Sequence, residues 1–193
     1  MTAIVVPFRG PDAKRRLASI GEEERAELAL AMLADVLAVC LEVGETTVVT
    51  SDESAAELAE ELGARVLADP GAGQGAAVAS ALDDDDGLTL VVNADLPCAT
   101  PDDLRRLEQA VPAGGLALVE AEDGTTNALG LSTPALFAPL YGPASAARFR
   151  ALAESVSVLL PNLAGDVDTI EDLERVRASA GPRTQAALTV LAR

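Results

Sequence analysis

The residues best suited to chemistry are one lysine and three aspartates. Lys14 is the single lysine among fourteen basic residues, and Arg9, Lys14, Arg15 and Arg16 fall together in RGPDAKRR. An ammonium is a compact point charge where a guanidinium is a planar fork, so the departure invites a chemical reason. Behind a turn that Gly10 and Pro11 allow, phosphate binding is its natural use; the alternative is chance at a solvated turn. Asp95 follows the apolar run LTLVVNA, and Pro97 keeps the chain from continuing as sheet. A carboxylate held there is a hard ligand for Mg²⁺, or else an acceptor for the following turn. Asp166 and Asp168 lie two apart in GDVDT, so an extended backbone points both to one side. Converging carboxylates repel unless a cation lies between them. For this pair alone, a solvated turn and a metal site are equally good readings.

The chain has no histidine, which excludes Ser-His-Asp and Cys-His catalysis and any His-bearing zinc centre. Nucleotidyl transfer to a phosphate nucleophile needs no protein base, because a phosphomonoester, with a second pKa of about 6, is largely dianionic at neutral pH. Metals, Lys14 and aligned donors then suffice. A net charge of −17 argues against a nucleic-acid backbone or an anionic membrane as partner.

These groups need elements to position them. Apolar runs at 3–8, 46–51, 64–69, 88–94 and 115–121 read as buried strands. They alternate with helical patterns near 22–43, 53–63, 75–83 and 101–110. This predicts an α/β fold of βαβ units, Rossmann-like, with a mainly parallel sheet and helices on both faces. Thr100 before Pro101, and Thr169 with Asp172 three residues on, read as helix caps. In such sheets ligands lie beyond the carboxyl ends of the strands, the position of RGPDAKRRL, DPGAGQGAA and NADLPC. The glycines of GAGQG form neither a P-loop nor a GxGxxG, though backbone N–H groups before a helix suit a base or phosphate. DDDD at 83–86 reads as a solvated helix end. Cys40 and Cys98 read as buried small hydrophobes. With no apolar run long enough to span a bilayer, the expectation is a soluble cytoplasmic protein with one domain over residues 1–193.

The segments VPFRGPDAKRRL, NADLPCATPDDL, GTTNALGL, YGPASAARF and DVDTIEDL, in this order, resemble the guanylyltransferases of deazaflavin coenzyme biosynthesis, which join GTP to phosphoenolpyruvate or 2-phospholactate and release pyrophosphate. The resemblance implies a glycosyltransferase-A-like nucleotidyltransferase fold. It implies that Lys14 contacts substrate phosphate, with Asp95 beside it at the reacting centre, and that Asp95, Asp166 and Asp168 hold Mg²⁺. Thr126 and Asn127 would contact the acceptor's phosphate, and the loop with Gly142 and Ser145 its carboxylate. Arg9, Gln74, Gly75 and Arg148 complete the expected substrate contacts. On their own residues, Thr126 and Asn127 read as turn positions and Ser145 as a helix N-cap. Phe149 stands where the family often has histidine, and Ala76–Ala77 where it tends to have Leu-Asn. The other function classes are a transferase for a sugar phosphate or molybdopterin-type acceptor, and a noncatalytic nucleotide-binding domain.

Overall fold

The computed structural model describes residues 2–10, 20–83 and 87–191. Lys14, Arg15, Arg16 and most of the acidic run at 83–86 lie outside them. Seven strands form one sheet in the order β3-β2-β1-β4-β6-β5-β7. They are β1 (Ala3–Pro7), β2 (Glu45–Thr50), β3 (Arg65–Ala68), β4 (Thr89–Val92), β5 (Leu116–Glu120), β6 (Thr126–Leu131) and β7 (Ser155–Ser157). All pairings are parallel except those of β6, which runs antiparallel between β4 and β5.

Strand alternation divides the core. Ile4, Val6, Val48, Leu90 and Val92 face a layer formed by α1 (Glu22–Leu41), α2 (Glu53–Leu62) and α4 (Pro101–Ala110). Val5, Val49, Val91, Leu118 and Leu129 point the other way, against Ala77 and Val78 of α3 (Gln74–Ala81) and Ala146 and Phe149 of α5 (Ser145–Arg150). This period of two with both faces apolar is what a sheet covered by helices requires. The small helix α6 (Pro161–Ala164), then α7 (Ile170–Val176) and α8 (Pro182–Leu191) complete the chain. A third buried cluster joins Leu28 and Met32 of α1 to Leu173, Val176 and Leu188.

The five expected strands and four expected helices are present, each within two residues or so of its predicted bounds. Both expected caps form: the Thr100 hydroxyl accepts from Asp103 N–H at 3.2 Å and the Thr169 hydroxyl from Asp172 N–H at 3.2 Å. Cys40 and Cys98 are buried free thiols, and burial pushes Cys40 up to about 12. Two strands were not foreseen, and one of them corrects a reading. Thr126 and Asn127 are strand residues, not turn residues. Their strand β6 is buried along its whole length, and Gly130 in it lies where a Cβ would come within 2.6 Å of Val111. Close packing on both faces, not β propensity, makes this a strand. No described helix is long and apolar enough to cross a membrane.

Candidate active site

From β1 the chain moves outward through β2 and β3, then returns to place β4 on the other side of β1. That reversal opens a crevice at the carboxyl ends of β1 and β4, where α/β sheets bind ligands. A cleft of about 220 Å³ lies there, with Phe8, Ala29 and Met32 as apolar wall and Arg9, Gln74, Asn93, Asp95 and Asp168 as polar lining. Arg9 is exposed at the end of β1 and Gln74 opens α3. Gly10, three residues beyond the end of β1, has φ +79°, a conformation that favours glycine.

Asp95 and, more than seventy residues later, Asp166 and Asp168 each bring a carboxylate oxygen to within 4.8 Å of the others, and all three are half-buried. The backbone explains the convergence. Val167 is fully buried in the third cluster and donates its N–H to the Asp95 carbonyl at 3.1 Å. Extended chain then turns the residues on either side of Val167 away from the core and toward Asp95. Burial, and then the neighbouring Asp95, push the Asp166 carboxyl above the usual carboxylate range; Asp168 adds to this and a hydrogen bond from Asn127 opposes it. Three oxygen donors so placed suit a hard divalent cation, whose charge would reverse that upward push.

Asn127 lies on β6 beside this cluster. Its amide donates to Asp166 Oδ1 and to the Ala164 carbonyl, both at 3.2 Å. Thr126 Oγ1 lies 3.0 Å from Ser145 Oγ, and both residues are almost wholly buried. Ser145 is the first residue of α5 and not its N-cap; that position is taken by Ala144, in the left-handed region at φ 57°. The cap reading failed because the turn at Gly142 (φ +109°) continues one residue further than the sequence suggests. Arg148 is exposed, its guanidinium donating to the carbonyls of Tyr141 (3.3 Å) and Pro143 (3.0 Å), so it braces the loop that holds Gly142. Gly75 is buried where a Cβ would come within 2.6 Å of Pro139, so close packing accounts for this glycine. Phe149 is fully buried against Phe137 and Tyr141, an apolar setting with no use for a polar side chain.

Asn93, which is not among the residues expected from sequence, also belongs to the site. Its side chain accepts from Gln74 Nε2 at 2.8 Å and donates to the Thr126 carbonyl at 3.3 Å. A carbonyl can only accept, so it fixes which way the Asn93 amide points, and through it that of Gln74. A signal lies in the sequence: Asn93 is two residues before Asp95 in NADLPC, the segment expected at the ligand edge, and a period of two puts both on one side.

Known proteins resemble this chain over most of its length. The family described as Guanylyl transferase CofC like matches residues 2–176. A phosphoenolpyruvate guanylyltransferase from Nocardia farcinica is 39% identical over 202 residues, covering 96% of this chain and 89% of that protein. One from Roseiflexus castenholzii is 39% identical over 173 residues, covering 83% and 80%. Among solved structures, a protein from Desulfovibrio desulfuricans described as a nucleotide-diphospho-sugar transferase superposes with a TM-score of 0.73 at 20% identity, covering 98% of this chain and 94% of that one. The fold is therefore that of the nucleotide-diphospho-sugar transferases, a mainly parallel α/β sheet. The chain belongs to the CofC-like guanylyl transferase family and is a nucleotidyltransferase.

Proposed function

We propose that this chain transfers GMP from GTP to phosphoenolpyruvate or 2-phospholactate, releasing pyrophosphate, in deazaflavin coenzyme biosynthesis, with residues 1–193 acting as one domain. The observation that carries the reading is the convergence of Asp95, Asp166 and Asp168 at the β1/β4 crevice in a guanylyl transferase chain without histidine. A phosphate oxygen of the acceptor attacks the α-phosphorus of GTP; that bond forms as the bond to the bridging oxygen breaks, and pyrophosphate leaves. The attacking oxygen is already ionised, so positioning and charge neutralisation are what the protein must supply.

Asp95, Asp166 and Asp168 would hold Mg²⁺, which when bound supplies positive charge to the phosphates. Asn127 keeps the Asp166 carboxylate turned toward its partners. Arg9 and Gln74 line the cleft on the nucleotide side, with Gly75 setting the approach of α3, and Lys14 is read from sequence alone as a phosphate contact. On the acceptor side, the buried Thr126–Ser145 pair would support the Gly142 turn from beneath, with Arg148 bracing it.

Incubation with GTP, Mg²⁺ and each acid in turn, with pyrophosphate as the readout, tests the reading. Release with one or both acids is expected. Release only with a sugar phosphate or molybdopterin-type acceptor would replace the acceptor, and release only with another nucleoside triphosphate would replace the donor.

A further inference from the structure

Outside the cleft, the most informative feature is the C-terminal helix α8, which lies beyond the stretch shared with the family pattern, 2–176. Asp35, in the middle of α1, is only 5% exposed. One of its carboxylate oxygens accepts the backbone N–H of Arg183 at 3.1 Å and the other that of Thr184 at 2.8 Å. A side chain from α1 thus caps the first turn of a helix nearly 150 residues later, satisfying donors that a helix start leaves open. Gly181 makes room for the latch: a Cβ there would lie 2.4 Å from Asp35 Cγ.

From this latch, contacts run to both stretches that carry the acidic cluster. Gly181 N–H donates to the Pro97 carbonyl at 2.7 Å, two residues after Asp95. Cys98 Sγ lies 3.2 Å from Ser179 Oγ. Leu188 of α8 shares a buried cluster with Met32, Cys98 and Val167, and Val167 sits between Asp166 and Asp168 with its N–H on the Asp95 carbonyl.

We propose that Asp35 is a positioning residue for the acidic cluster: by latching α8 it holds the Asp95 and Asp166–Asp168 segments together and so raises affinity for a divalent cation. The inference rests on the metal-site reading of the preceding section. Three carboxylates in the absence of a cation push one another apart, so a site left unbuttressed must be regathered when the ion binds, at the expense of affinity.

Mn²⁺ is the probe, titrated by electron paramagnetic resonance into the full chain without nucleotide, well below the melting temperature. Asp35→Asn and Leu188→Ala are expected to bind Mn²⁺ roughly fivefold more weakly while keeping the wild-type far-ultraviolet spectrum. Coupling is reciprocal, so saturating Mn²⁺ should slow amide exchange at Arg183 and Thr184 in the wild-type protein. A cap that served stability alone would lower Tm and leave Mn²⁺ affinity unchanged; that outcome overturns the proposal. Should the variants fail to fold, the wild-type exchange decides, and amides at 183 and 184 indifferent to Mn²⁺ would overturn it. If the wild-type chain binds no Mn²⁺, the metal-site reading falls and this inference with it; wild-type binding with indifferent variants defeats this inference alone.

Discussion

Asp166 and Asp172 share one short stretch of chain, yet their surroundings push their carboxyls in opposite directions. Asp166 is raised by burial and by the facing carboxylates Asp95 and Asp168. Asp172 is also partly desolvated, but hydrogen bonds from the Thr169 hydroxyl and the backbone N–H groups of Asp168 and Thr169, with Arg175 nearby, bring it below the usual range. The second carboxylate is completed by the protein's own donors. The first is surrounded by like charge, and a bound cation would complete it. Opposite shifts in identical side chains are what the proposed metal-binding role of Asp166 and the capping role of Asp172 would produce.

The strongest way to break this comparison is to remove the charge. Asp95→Asn or Asp168→Asn should lower the rate of pyrophosphate release by about a hundredfold or more, with little change in the melting temperature of the metal-free protein. Near-wild-type rates would place the chemistry elsewhere. Next in size, Asn127→Ala removes the amide that orients Asp166 and should raise the Mg²⁺ concentration for half-maximal rate roughly tenfold; an unchanged requirement would make Asn127 a β6 packing residue only.

Asp172→Asn should cost about 0.5–1 kcal/mol in urea unfolding at neutral pH, allowing for solvent screening of this partly exposed group. Its lowered folded-state pKa means that the contribution is present above the unfolded value and is lost as pH falls through the folded one. The gap between wild type and variant should therefore close in acid.

The smallest effect carries the opposite sign. Because the folded-state pKa of Asp166 is raised, the native state holds its proton more tightly than the unfolded chain does. Its stabilising contribution is present below the unfolded value and is lost as pH rises through the folded one. Metal-free wild type should lose stability relative to Asp166→Asn over that rise, and added Mg²⁺ should restore it. Parallel pH profiles for the two proteins would remove the electrostatic argument for the site.

What could be read in the sequence was whatever depends on short spacing. Alternating apolar runs gave the five strands and both core faces, because side-chain direction in a strand has a period of two. The Thr100 and Thr169 caps were legible because a cap joins residues three apart. Asp166 and Asp168 were legible as a pair for the same reason. The absence of histidine limited the chemistry without any structure at all, and five ordered motifs identified the family.

What needed the tertiary structure was whatever joins distant segments. Strand β6 becomes a strand only between β4 and β5, where packing on both faces favours small residues that look like a turn in isolation. The link from Thr126 through Asn93 to Gln74 depends on three elements meeting at one sheet edge. Asp95 joins Asp166 and Asp168 because Val167 is drawn into a buried cluster and bonds to the Asp95 backbone. Asp35 caps α8 across nearly the whole chain. Local spacing chooses the chemical groups, while burial of apolar residues decides which of them meet.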